Sequence, residues 1–263
     1  MSGEIVLLDS PDGRVARLVQ TAGLVAANAG VPIALIGGIA VLCRVPDGPQ
    51  RATQDVDLVS EDSAEIVAES GAAADNLVAA NLATRDTGSA LTRLLIGETK
   101  VEIIETMAVT PIEAAAVEPE RSRLFILAHR WALESAGDCT IAVVDSDVHE
   151  TVPIASAAAL VAMKLHSIQD RSDDRKRASD AWDLFRLLES HNRSGAISAA
   201  FATSPATLGD LAAAALGRVF GTEATRTRRW IVGFGEPSWP DILTIETLND
   251  LAEEFADYRT SPR

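Results

Sequence analysis

The chain is poor in several things at once. It has two cysteines in 263 residues, Cys43 and Cys139, far apart and without metal-ligand spacing. That excludes a disulfide scaffold and a cysteine-based zinc site, and leaves two buried free thiols in a reducing compartment as the expectation. Aromatic residues make up 4% of the chain, with a single tyrosine. The four tryptophans, Trp131, Trp182, Trp230 and Trp239, therefore read as core or interface groups rather than as base-stacking platforms. Lysine occurs three times, at Lys100, Lys164 and Lys176, and the net charge is −15 with a pI near 4.6. Such a balance excludes nucleic-acid binding by global attraction, so a polyanionic ligand needs a local basic patch. RSDDRKR (Arg171 to Arg177) and RTRR (Arg226 to Arg229) are the candidates, and each is equally readable as ordinary solvated surface. Long apolar runs are missing too: IASAAALVAMKL is too short for a membrane span and is interrupted by Lys164. No basic, apolar, small-residue succession opens the chain, so the expected location is cytoplasmic, with no membrane partner.

What is present is a core: 47% of residues are hydrophobic, enough for one large domain or two small ones. Helical spacing over Gly13 to Ala29 ends at Gly30, and Pro32 leads into a strand at Ile33 to Ile36 closed by Gly37-Gly38. A helix follows at Ile39 to Val45, then the loop VPDGPQ, then a strand at Asp55 to Val59. Ser60 and Asp62 are positioned to cap a helix from about Ser63 to Ala80. Further strands are expected at Leu82 to Asp86, Leu91 to Ile96, Lys100 to Glu105 and Thr140 to Val144. After Pro153 strand formers thin out, and helices are expected over Ile154–Gln169, Asp174–Leu188, Ile197–Phe201, Leu208–Val219 and Ile245–Tyr258, with a loop from Gly233 to Pro240. The fold class is thus mixed α/β, or α+β, over residues 1–150, followed by an all-α region over 151–263.

The chemistry gathers in GGIAVLCRVPDGPQRATQDVDL, Gly37 to Leu58. Asp55 and Asp57 fall on one face of a strand, with Val56 and Leu58 on the other. Two like charges so placed repel unless a cation sits between them. Gly37-Gly38, between a strand and a helix, allows a tight turn and close backbone approach, and free N–H groups at a helix start suit phosphate. A divalent cation on Asp55 and Asp57 would bridge to such phosphates. Mg²⁺ (or Mn²⁺) suits this, because it takes few carboxylates and completes its shell with substrate oxygens.

The pattern GG-x-A…R-x-T-x-D-x-D-L resembles the polymerase-β-like nucleotidyltransferases, and in detail the AbiEii-type toxins, a group that includes the mycobacterial MenT toxins. The resemblance resumes over Lys164 to Leu188, within LVAMKLHSIQDRSDDRKRASDAWDLFRLL (Leu160 to Leu188). It implies a polymerase-β-like core with a mixed sheet ahead of a helical domain, NTP as substrate, and a nucleotide site built from Gly37, Gly38, Arg51 and Thr53. It further implies a third carboxylate on a later strand, for which Glu102 in KVEII is the candidate; Glu105, three residues on, points to the opposite face. Lys164 maps to the motif lysine, which would meet the charge of the triphosphate. Either Asp180 or Asp183 maps to the motif aspartate; on a helix the two share one face, within reach of Lys164 if the helices form a hairpin. Thr53 matches a hydroxyl position of related toxins and is expected to hydrogen-bond the loop.

The resemblance also implies transfer of a nucleoside monophosphate with release of pyrophosphate, tRNA 3′ ends as acceptor, blocked translation, and a cognate antitoxin. An RNA acceptor requires Arg171, Arg175, Lys176 and Arg177, with Arg226, Arg228 and Arg229, to gather on one face. The alternatives are an aminoglycoside-type small-molecule nucleotidyltransferase, nucleotidylation of a protein, and a non-catalytic partner-binding fold. His129, His149, His166 and His191 have no ligand spacing, and no G-x-S-x-G elbow occurs.

Overall fold

A computed structural model describes residues 4–47, 52–61, 71–86, 93–106, 109–205, 207–234 and 243–260. The chain divides into two compact units. The first comprises Met1–Pro46, Ala52–Ala108 and Ala132–Ser156, and the second Asp47–Arg51, Val109–Trp131 and Ala157–Arg263. The last crossing, between Ser156 and Ala157, lies near the boundary expected around residue 150, while 109–131 belongs with the second unit.

In the first unit the order is β1 (Glu4–Leu8), α1 (Arg14–Asn28), β2 (Ile33–Ile36), α2 (Gly37–Arg44), β3 (Asp55–Glu61), α3 (Ala72–Ala79), β4 (Thr84–Arg85), β5 (Arg93–Ile96) and β6 (Thr99–Thr106). Helices α4 (Pro111–Ala116) and α5 (Glu120–Glu134) follow, then β7 (Gly137–Val143) and β8 (His149–Ile154) return to the sheet. The eight strands lie in the order β1-β7-β8-β2-β3-β6-β5-β4. The β1–β7, β2–β8 and β3–β6 pairs are parallel and the others antiparallel, so the sheet is mixed. Leu35, Ile39, Val56, Leu58, Ile103 and Ile141 are fully buried along its centre. Burying each such side chain contributes roughly 1.5–3 kcal/mol.

The described part of the second unit is helical throughout. After α4 and most of α5 come α6 (Ala157–Asp170), α7 (Asp174–His191), α8 (Ala196–Phe201), α9 (Leu208–Leu216), a π-helical stretch over Gly217–Thr222, α10 (Ala224–Phe234) and α11 (Ile245–Thr260). Trp182, Phe185, Phe201, Phe220 and Phe255 form its apolar centre. Asp173 caps α7, accepting the backbone N–H of Lys176 at 2.8 Å.

Several expectations need correction. Ser60 is not a helix cap: it lies inside β3, opposite Ile33, because pairing with β2 and β6 carries on past Val59. Asp62 and the start of the helix expected from Ser63 lie outside the described residues, as does the part of the loop from residue 235 to 240; α3 begins only after Gly71. Gly233 and Phe234, expected in a loop, complete α10, a helix whose basic character hides its period. Strands β1 and β8 and helices α4, α5 and α10 have no counterpart among the expected elements. HETVPI carries a proline that demotes a strand reading, and the polar start of α5 masks its apolar stripe.

Candidate functional site

In the first unit, β2 and β3 run antiparallel with Ile36 opposite Asp57, so the strand ending at Gly37 delivers its turn to the side chain of Asp57. Gly37 has φ +69°, a conformation that L side chains rarely adopt. A Cβ built there would lie 2.0 Å from Asp57 Oδ2 and 2.7 Å from Asp57 Cβ. Glycine is required twice over, by the backbone and by the carboxylate. Helix α2 starts at this residue, with no side-chain hydrogen bond from its N-cap, Ile36. The Asp57 carboxylate therefore sits at the positive end of a helix dipole, which favours negative charge.

Asp55 shares the Asp57 face; it is exposed, whereas Asp57 is half-buried. Two same-face carboxylates, one fixed against a helix start, are the oxygen donor chemistry of a hard cation such as Mg²⁺. Among the described residues no three His, Cys, Asp or Glu side chains are grouped to hold a metal ion by themselves. A cation on Asp55 and Asp57 would thus depend on water and substrate oxygens for the rest of its shell.

Glu102 stands opposite Asp57 in the parallel β3–β6 register, on the same face. Its carboxylate pairs with Arg93 of β5, at 3.4 Å from Nε to Oε2, with the two side chains 34% and 50% exposed respectively. Arg93 carries no signal in the sequence, because only the β5–β6 register brings it opposite Glu102. Lys100 similarly faces Asp55. Thr53 is buried, and its Oγ1 has no hydrogen-bond partner among the described residues, which leave out 48–51 of the preceding loop. Arg51 lies outside the described residues.

In the second unit, α6 and α7 form the expected hairpin. The Lys164 ammonium lies 2.8 Å from Asp180 Oδ1 and 2.7 Å from Asp183 Oδ2. All three are buried, and Arg171 closes the cluster, its Nε 2.5 Å from Asp180 Oδ2. Lys164 lies between the two buried carboxylates and the half-exposed Arg171 adds a second cation, so the buried charges are paired. Lys164 therefore engages both candidate aspartates rather than one.

Nearby basic residues are drawn together on α7 and α10. Arg177 and Arg226 both lie over the Trp230 ring, 5.3 and 4.6 Å from its centroid, and Trp230 itself is buried. Arg228 turns away to donate through Nε to the Leu243 carbonyl at 2.7 Å. Trp131 and Trp182 are core residues, and Trp239 lies outside the described residues.

The histidines are structural in their surroundings. His129 is buried, with Nδ1 2.8 Å from the Phe125 carbonyl oxygen, and burial lowers its pKa to about 4. His166, whose ring also packs against Phe125, is likewise shifted down by burial. Cys43 and Cys139 are free and buried, and burial pushes both thiols up. No helix among the described residues is long and apolar enough to cross a membrane.

The chain belongs to the family described as nucleotidyl transferase AbiEii toxin, type IV toxin–antitoxin system, whose model matches residues 20–230, and it is a nucleotidyltransferase. No curated protein matches its sequence. Among solved structures it is similar to an antigenic nucleotidyltransferase-like protein from Paracoccidioides brasiliensis, at 18% identity and a TM-score of 0.42, over 73% of this chain and 87% of that one. It is also similar to ANT(2")-Ia in complex with adenylyl-2"-tobramycin, at 13% identity and a TM-score of 0.31, over 92% of this chain and 97% of that one.

Proposed function

We propose that the protein is a toxin that transfers a nucleoside monophosphate from an NTP to an acceptor hydroxyl, the 3′ end of tRNA, and so blocks translation under the control of an antitoxin. The single observation that supports the chemistry is the Asp57 carboxylate seated against Gly37 at the start of α2, with Asp55 on the same face. Mg²⁺ or Mn²⁺ bound there supplies charge neutralisation for the phosphates and the leaving pyrophosphate. Asp55 and Asp57 would hold the cation; the three carboxylates are not grouped to hold a metal by themselves, so the third contribution would come through water from Glu102. Its exposed pair with Arg93 is worth only about 0–1 kcal/mol and is readily exchanged. Gly37 and Gly38 let the backbone approach the triphosphate. The acceptor oxygen attacks the α-phosphorus, the bond to the β-phosphate oxygen breaks, pyrophosphate leaves, and the hydroxyl proton passes to a nearby base. Few chemical groups are needed, because positioning and electrostatics carry this reaction.

RNA as acceptor rests on the meeting of Arg177 and Arg226 on Trp230 and on Arg175 and Lys176 in the first turn of α7, whereas Arg228 turns away from that group. The net charge of −15 favours a second reading, a cationic small-molecule acceptor of the aminoglycoside kind.

The test is label transfer from each α-labelled NTP, with Mg²⁺, to total tRNA, to aminoglycosides and to bacterial protein, beside Asp57→Ala. Labelled tRNA absent from the variant supports the reading. Label on the aminoglycoside alone selects the second reading, and no label on any acceptor overturns both.

A further inference from the structure

Arg171 differs from the other arginines of the second unit in how it is held. Its Nε donates to Asp180 Oδ2 at 2.5 Å, and Asp180 is itself buried and bound through Oδ1 to Lys164. Lys164 in turn is tied to Asp183, so the carboxylate that grips Arg171 is fixed from behind. Yet the Arg171 side chain remains 39% exposed, while that of Asp180 is only 4% exposed. The other four N–H donors of its guanidinium have no partner among the described residues. Arg177 is engaged by Asp174 and Trp230, Arg218 by Gln169, Arg226 by Glu223 and Trp230, and Arg228 by the Leu243 carbonyl, while Arg175 and Lys176 are exposed and have no buried anchor among the described residues.

We infer that Arg171 is the phosphate-contacting group of this cluster, a guanidinium clamped along one edge by Asp180 so that its two terminal nitrogens face outward as a fork for phosphate oxygens. The inference rests on the transfer reading only for the source of the phosphate, the NTP triphosphate or the acceptor's backbone. Asp180, held from behind by Lys164, then acts through Arg171 as a positioning residue.

The physical basis is preorganisation. A free surface arginine loses about 1.5–2 kcal/mol of rotamer freedom when it is ordered on a ligand. Here the tether to Asp180 has already fixed the side chain, so less is lost on binding. The planar fork also matches phosphate geometry in a way that a lysine cannot.

The experiment measures binding of inorganic tripolyphosphate and, separately, of a short single-stranded RNA to the full chain by calorimetry, together with the NTP dependence of transfer. In Arg171→Gln at least one probe should bind about tenfold or more weakly, the loss expected for charge-assisted hydrogen bonds. Weaker tripolyphosphate with a raised KM for NTP assigns the fork to the nucleotide. Weaker RNA alone assigns it to the acceptor. Arg171→Lys should not restore binding, whereas Arg193→Gln, which removes the same charge from an exposed pair with Glu189, should leave both probes unchanged. Asp180→Asn should weaken the same probe, and the double variant should bind no worse than Arg171→Gln alone. Should Asp180→Asn fail to fold, the variants of the half-exposed Arg171 decide the matter.

A thermal midpoint equal to wild type, with both probes bound within about twofold in Arg171→Gln, overturns the inference. Loss of tripolyphosphate binding in a protein that transfers no label would instead retain the phosphate site and sink the transfer reading.

Discussion

The Asp57 carboxylate lies against the α-carbon of Gly37, so close that any side chain there would overlap it. Gly37→Ala must therefore leave its left-handed conformation or displace Asp57. The backbone strain alone costs roughly 1–2 kcal/mol, and a displaced Asp57 no longer meets a bound cation. We expect a lowered thermal midpoint and a larger loss of transfer. Full activity in Gly37→Ala would show that the elbow plays no part.

Asp55→Asn and Asp57→Asn separate function from stability. Asp55→Asn removes one of two same-face negative charges at an exposed position, so stability should stay equal or rise, whereas Asp57→Asn also gives up the favourable charge at the start of α2 and should be near neutral. Activity should fall by more than the ~10–100-fold typical of losing an outer-shell metal partner. Calorimetry beside label transfer checks both, and an Asn variant with near-normal turnover would remove that carboxylate from the site.

Glu102→Gln gives a graded outcome. Its pair with Arg93 is exposed, so the thermal midpoint should barely move. The Mg²⁺ concentration needed for half-maximal transfer should rise several-fold. An unaltered Mg²⁺ requirement would take Glu102 out of the donor set.

Lys164→Met strands two buried carboxylates, Asp180 and Asp183, and removes the ammonium that binds them both, leaving Arg171 on Asp180 alone. Breaking a buried ion pair in this way costs about 3–5 kcal/mol. Denaturant melts should show that loss, and a change below about 1 kcal/mol would mean that water reaches the four groups in solution.

Acid should weaken the second unit through His129. Its pKa falls from 6.5 to about 4 on folding, so between those values the unfolded chain binds more protons than the folded one. Stability is fully present above about pH 6.5 and is lost as pH falls toward 4, by on the order of 3 kcal/mol at about 1.4 kcal/mol per pKa unit. His166 shifts in the same direction. In His129→Phe, or another apolar replacement that keeps the fold, melting profiles should lose much of this slope.

Much of the catalytic strand is legible because its signals are local. Period-two alternation puts Asp55 and Asp57 on one face, and the strand–Gly-Gly–helix succession marks the turn. The helix pair carrying Lys164, Asp180 and Asp183 is legible for the same reason: helical spacing puts i and i+3 together. Hidden are the relations that depend on register between distant segments, such as Arg93 opposite Glu102. Helix α10 is hidden because its polar, arginine-rich start conceals the stripe that ends in Trp230 and Ile231.

By itself the sequence determined the residue types, their faces and the class of chemistry, since backbone periodicity and side-chain charge are properties of short stretches. Tertiary structure alone decided that β2 presents Gly37 to Asp57, that Lys164 grips two aspartates, and that Arg171 is held by one of them while its side chain stays 39% exposed. Those are contacts between segments far apart in the chain or across a helix pair, and they are selected by burial and charge balance in the packed state, which no local pattern encodes.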